Sequence, residues 1–295
     1  METIEGLKRK IQSTEDLQSV VKTMKSLAAV KIRQYEKAVD ALEDYNRTVE
    51  MALRVVVRHA HEIGKRRQVR SNSSLGAVIL GSDQGMCGQL NDQVVTYSLK
   101  AMQRLEMSID RRRVLAMGLR VSALLDAQGQ PVEETFSLPG SVDGITVKVQ
   151  DLLLRIQAWT DVQGLDQVFL FYSRPVSAAT YRPHSVRLLP VDEQWLKTMR
   201  EKSWPTRMLP MFTMDREQLF WALIQQYLFV SLFRAIAESA ASENASRLAS
   251  MQGAEKNIRE QLAELNSRYH QQRQMTITEE LLDIVSRFEA LKGRP

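Results

Sequence analysis

The sequence predicts an α/β protein in which a long antiparallel coiled coil, made by the N- and C-terminal helices, joins a small Rossmann-like open α/β domain. Three observations lead there: a proline-free run at each end of the 295-residue chain, a narrow apolar seam along each run, and alternating strand and helix texture between them. The expected segments are an N-terminal coil helix over 1–70, a central α/β domain over 71–214 and a C-terminal coil helix over 215–295.

The first run holds no proline, and its only glycines, Gly6 and Gly64, sit near its two ends, so nothing stops a helix of about sixty residues. Apolar residues recur at steps of three and four through Ile4, Leu7, Ile11, then Leu17, Val21, Met24, Ala28, then Ile32, Tyr35, Val39, Leu42, Val49, Leu53 and Val56, with two slips between blocks. Such a stripe is two residues wide per heptad, too narrow for a globular core and suited to a partner helix. The chain carries 40 Lys and Arg against 35 Asp and Glu, and residues 1–70 hold the whole excess, with 15 basic and 10 acidic groups. A solvated helix face accounts for this. No aromatic residues interleave the basic ones among the first thirty, which argues against a nucleic-acid partner. The acids Glu2, Glu5, Glu15 and Asp16 are equally unlike a mitochondrial presequence.

The C-terminal run has no proline between Pro210 and Pro295, and its seam alternates by four and three through Leu219, Leu223, Gln226, Val230, Phe233, Ala237, Ala240, Asn244, Arg247, Met251, Ala254, Ile258, Gln261 and Leu265. Two such seams in one chain are economically buried against each other, antiparallel. The most apolar stretch, 219–237, is long enough to span a bilayer, but Gln225, Gln226 and Arg234 interrupt it, so a helix buried in protein is expected and no direct membrane insertion. Residues 239–250 are nearly all small, which lets another backbone approach closely. Polar residues at the seam positions Asn244, Arg247, Gln261 and Arg268 cost stability in an isolated coil and make sense where a third partner surrounds it. The last segment sets an apolar stripe (Ile277, Leu281, Ile284, Phe288, Leu291) against a polar face with Arg273, Gln274, Thr278, Glu280 and Asp283.

In the middle, 75–80 (LGAVIL) reads as a buried strand, 92–107 as a helix, 113–117 as a second strand, 120–127 as a helix, 141–160 as a helix, 167–172 as a third strand and 185–189 as a fourth. That alternation gives a mostly parallel sheet. The loop after the first strand, 81–88 (GSDQGMCG), lies where α/β proteins bind phosphate. Its glycines fit neither G-x-G-x-x-G nor a Walker loop, no Lys-Ser or Lys-Thr follows, and no acid closes the second strand, so a structural turn or a docking loop is expected. Cys87 is the only cysteine, without a histidine near it in sequence, and the four histidines are scattered. Catalytic residues, cofactor and metal are all expected to be absent.

Residues 11–33 (IQSTEDLQSVVKTMKSLAAVKIR), 242–251 (SENASRLASM) and 273–285, together with the loop 82–91 (SDQGMCGQLN), similar to an S-D-x-G-L-C-G-x-L-N signature, resemble the F-type ATP synthase gamma subunit family across the whole chain. The resemblance implies a non-catalytic axle that transmits torque between a membrane ring of c subunits and a hexamer of alpha and beta subunits. An epsilon subunit would sit beside the central domain. It implies peripheral attachment at the cytoplasmic side of a bacterial inner membrane, with proton or sodium as coupling ion, a choice made by other subunits. Carried over by position, Met24, Lys25, Arg247, Arg273, Gln274, Thr278, Glu280 and Asp283 are the residues that face the beta subunits or couple the two arms. Ser82, Asp83, Gly85, Cys87, Gly88 and Asn91 carry the loop signature.

Overall fold

A computed structural model describes residues 3–58, 74–105, 107–177, 180–201, 204, 208 and 210–292. The chain forms α1 (Ile4–Arg58), β1 (Leu75–Leu80), α2 (Leu90–Arg104), β2 (Arg112–Met117), α3 (Leu119–Ala127), β3 (Glu134–Phe136), α4 (Ile145–Asp161), β4 (Gln167–Ser177), β5 (Thr180–Leu189), α5 (Glu193–Glu201) and α6 (Arg216–Lys292). It divides into two compact units, Met1–Leu27 with Leu248–Pro295, and Ala28–Arg247. Positions 59–70 of the expected first helix, with His59, His61 and Gly64, lie outside the described residues, as do the side chains of Phe288 and Leu291.

In the larger unit the sheet order is β3-β2-β1-β4-β5. β1 pairs parallel with β2 and β4, and β2 with β3, while β4 and β5 run antiparallel. All six residues of β1 are buried, as the apolar run of a central strand covered on both faces should be. One face carries Leu75, Ala77, Ile79, Val114, Ala116 and Phe171 against α2 and α3. The other buries Val78, Leu80, Leu115, Met117 and Leu170 against Ile156 and Trp159 of α4, Leu53 and Val56 of α1, and Leu228, Leu232 and Ile236 of α6. Here α1 and α6 also pack on each other: the Tyr45 hydroxyl donates to Gln226 Oε1 at 2.7 Å. The apolar part of α6 is long and apolar enough to cross a membrane, and its side chains Phe220, Ile224, Leu228, Leu232 and Ile236 are buried in this core. α6 starts cleanly because Asp215 caps it, its Oδ1 accepting the backbone N–H of Glu217 at 3.0 Å and of Gln218 at 3.1 Å.

The smaller unit is a pair of helical segments. Leu7, Thr14 and Val21 of α1 and Met251 and Leu265 of α6 are buried, and Lys25 Nζ bonds Glu255 Oε2 at 2.6 Å.

The structure corrects the seam. Leu17 is 56% exposed, and Thr14 takes the buried place instead. The α1 seam runs Leu7, Thr14, Val21 in one unit and Ala28, Tyr35 in the other as an unbroken heptad series. No slip occurs, because a polar residue fills one position: the Thr14 hydroxyl turns back to donate to the Lys10 carbonyl at 2.7 Å. On α6, Gln261 and Arg268 are exposed and the half-buried positions are Leu262 and Tyr269. Between β4 and β5 no helix intervenes, and both strands are longer than expected. β3 and α5 have no counterpart in the sequence reading.

Candidate functional site: the signature loop and the α6 face it grips

The loop after β1 is built from its own short polar side chains. Asn91, in the first turn of α2, reaches back so that its Oδ1 accepts the Ser82 N–H at 3.0 Å while its Nδ2 donates to Ser82 Oγ at 2.8 Å. Ser82 Oγ in turn donates to the Gln84 carbonyl at 2.8 Å. Cys87 Sγ lies 3.5 Å from both Ser82 Oγ and Asn91 Nδ2, buried and enclosed. Asp83 ties the loop to its neighbours, one carboxylate oxygen accepting the Leu119 N–H at 3.0 Å and the other the Leu138 N–H at 2.9 Å.

Two glycines beside the loop have no substitute. A Cβ on Gly81 would stand 1.9 Å from Val121 Cγ2, and one on Gly118, at φ +120, would stand 2.8 Å from both the N and O of Ser82. Gly88 adopts φ 57 and Met86 φ 60, the left-handed conformation that reverses the chain. Gly85 brings its carbonyl to Arg247.

The loop grips α6 by backbone carbonyls. Ser246 Oγ donates to Cys87 O at 2.5 Å, and Arg247 Nη2 reaches Gly85 O at 3.5 Å. Arg247 is held from its own helix by Glu243 Oε1 at 2.6 Å and by Asn244 Oδ1 at 3.5 Å. Arg247 and Glu243 are each about 10% exposed. Burial raises the Glu243 carboxyl above the ordinary glutamate range, and the Arg247 guanidinium works against that shift. For Arg247, the third partner that a polar seam residue calls for is the chain's own α/β domain, through the Gly85 carbonyl, while Asn244 bonds within α6, its Nδ2 donating to the Ala240 carbonyl at 2.8 Å.

The remaining candidates belong to the smaller unit. Met24 is half-buried. Lys25 bridges to Glu255, whose carboxyl it draws below the ordinary range chiefly through their hydrogen bond. Arg273, Gln274, Thr278, Glu280 and Asp283 are all exposed; Thr278 Oγ1 donates to the Gln274 carbonyl at 2.8 Å and Asp283 pairs with Arg287 at 3.1 Å. The sequence reading missed Glu238, Ser242 and Ser246 as a bonded row and Glu243 as the partner of Arg247. The signal available was the four-residue spacing of Glu238, Ser242 and Ser246, hidden in a run that reads simply as small.

The loop's first N–H is thus capped by Asn91, and two of its carbonyls hold α6. The fold and this site define a structural subunit, an α/β domain fastened to a pair of long helices. Comparison with known proteins gives the particular one. Residues 3–291 match the family described as ATP synthase. The chain is 28% identical to the ATP synthase gamma chain of Cyanothece sp., over 99% of this chain and all of that one. It is also 28% identical to that of Syntrophus aciditrophicus, over 99% of each. A chain of the Euglena gracilis mitochondrial ATP synthase rotor shares the fold at TM-score 0.63 and 18% identity, covering 93% of this chain and 98% of that one. Another, from the central stalk and c-ring of the Tetrahymena thermophila mitochondrial enzyme, does so at 0.59 and 22%, covering 80% and 99%. The chain belongs to the ATP synthase gamma family, non-catalytic subunits that form the central stalk of rotary F-type ATP synthases and associate peripherally with the membrane.

Proposed function

We propose that the chain carries torque between a ring of c subunits in the membrane and a hexamer of alpha and beta subunits, with an epsilon subunit docked beside its α/β domain. On this reading 1–70 and 215–295 are the axle and 71–214 the foot. The assembly works at the cytoplasmic face of a bacterial plasma membrane, moving protons or sodium.

One observation carries the reading. Met275, Ile277, Leu281, Leu282, Ile284 and Val285 are between 46% and 65% exposed, and they spread over about half the circumference of the last turns of α6. An ordinary amphipathic helix hides such residues on one side. An apolar face this wide and this exposed calls for a partner to cover it, and a sleeve of other subunits would do so. On the same segment, Arg273, Gln274, Thr278, Glu280 and Asp283 offer isolated polar groups that engage a beta subunit at particular angles. Met24 and Lys25 would do the same on α1, and Arg247 keeps the loop seated on α6. Near the foot, Met208, Met211, Phe212, Met214 and Trp221 are exposed, between 37% and 96%, an adaptable apolar surface suited to the c-ring or epsilon.

The test is purification of the chain from its native membranes in mild detergent. Recovery in fixed stoichiometry with alpha and beta subunits and ATPase activity supports the proposal; recovery alone or with nucleic acid refutes it. A Met24→Lys variant adds a second arm. A new cation facing an acidic beta loop should lower the ions pumped per ATP hydrolysed, and an unchanged ratio would count against the placement of Met24.

A further inference from the structure

We propose that Glu238 is a rotational key: the buried carboxylate that fixes the angle of α6 about its own axis relative to the sheet, and so makes the joint between helix and α/β domain stiff in torsion. Glu238 is 6% exposed, and its two oxygens are divided between elements. Oε2 accepts the Tyr172 hydroxyl of β4 at 2.9 Å and faces Arg174 Nε of the same strand at 3.6 Å. Oε1 accepts Arg234 Nε, one turn earlier on α6, at 2.8 Å, which holds the side chain in a single rotamer.

The same stripe continues the joint. Ser242 Oγ donates to Ser173 O of β4 at 2.9 Å, and Ser246 Oγ lies 3.1 Å from the Tyr181 hydroxyl of β5 as well as bonding Cys87 O. Residues 238, 242 and 246 fall within about 80° of arc on the helix. The helix thus meets the sheet along one bonded line.

The need for a key follows from what surrounds it. Ser239, Ala240, Ala241 and Ala245 are small, so the contact lacks large side chains interlocked as knobs in holes. Hydrophobic burial is non-directional: it holds the helix against the sheet but opposes rolling about its axis only weakly. Hydrogen bonds and ion pairs are directional, and these act about 5 Å from the helix axis, where they resist rotation. Glu238 is the charged member of the row and binds two side chains of β4. It is a positioning residue for torque transmission, and the assignment rests on the torque reading above.

The experiment uses the assembled synthase with the hexamer immobilised and stalled by a tight nucleotide-site inhibitor. A rigid probe is attached through Val162→Cys at the exposed end of α4, which is 84% exposed, while Cys87 stays buried. The variance of the probe's angle measures torsional compliance. Glu238→Ala is expected to raise it about two-fold or more, Glu238→Gln and Tyr172→Phe by less, and Arg187→Ala, which removes an exposed pair with Asp192, not at all. ATP hydrolysis by the unstalled complexes should stay within experimental error of the parent. If Glu238→Ala does not assemble, Glu238→Gln and Tyr172→Phe decide the matter, since each keeps the packed volume. Unchanged variance in assembled variants, even with a lowered melting temperature, would make Glu238 merely structural and overturn the proposal. A parent complex that does not rotate on ATP would refute the torque reading instead.

Discussion

At the residue scale, the chain concentrates its specificity in short polar side chains and glycines around one loop. Gly118→Ala should cost at least about 2 kcal/mol, because it combines a disfavoured φ with a clash against the Ser82 backbone that no rotamer can relieve. A urea denaturation curve of the isolated chain would measure it, and a midpoint equal to the parent's would mean the loop shifts freely. Arg247→Ala removes one partner of a buried pair and should cost about 3 kcal/mol, whereas the double replacement Arg247→Met with Glu243→Leu should recover much of that stability, since a buried pair is weakly stabilising against apolar groups of similar size. Equal losses for the single and double variants would refute this account. The pair of Lys25 and Glu255 behaves differently because water reaches it. Its depressed carboxyl means that the contribution is complete above the ordinary glutamate pKa of about 4.3 and is lost as pH falls through the lower folded value. Protection of the amides flanking 25 and 255, taken relative to intrinsic exchange at each pH, should therefore fall below pH 4 in the parent more than in Glu255→Gln.

At the element scale, periodicity located both long helices and four strands, because a β-rich apolar run ending in glycine and a three-four apolar repeat are local signals. Failures occurred where a long-range contact decides. Thr14 is polar by composition yet buried, since its hydroxyl can bond its own helix; Leu17 is apolar yet exposed. β3 is three residues long and exists by pairing with Leu115–Met117, and α5 is a short segment begun by an Asp192 cap, Oδ1 accepting the Gln194 N–H at 2.9 Å. The loop signature was legible as a motif, but its use of carbonyls to hold Ser246 and Arg247 spans about 160 positions of sequence and could not be read from spacing. The corrected seam gives a paired prediction. Leu17→Ala should change the stability of the isolated chain by less than about 0.5 kcal/mol, while Leu53→Ala, fully buried in the main core, should cost about 2–5 kcal/mol. A comparable loss at both positions, measured by thermal or denaturant unfolding, would restore Leu17 to the seam.

At the scale of the whole molecule, the end of α6 separates what the chain needs in order to fold from what it needs in order to work. Counting 21 residues from Lys25 back to Ile4, and as many forward from Glu255, reaches Thr276, the last half-buried residue among the described side chains of α6. Beyond it, α1 has no residues left to pair, and every described side chain from Ile277 to Arg287 is exposed. Removing 277–295 should therefore leave the thermal midpoint of the isolated chain within a degree or two of the parent, because every described side chain it deletes is exposed. In the assembly the same deletion removes the exposed apolar face that the proposed sleeve would cover, so retention by the alpha–beta hexamer after dilution should fall. The two measurements bear on different questions. A lowered thermal midpoint would mean that the segment packs within the chain itself, and a fully stable truncated chain that the hexamer retains as well as the parent would mean that the exposed apolar residues serve no enclosing partner.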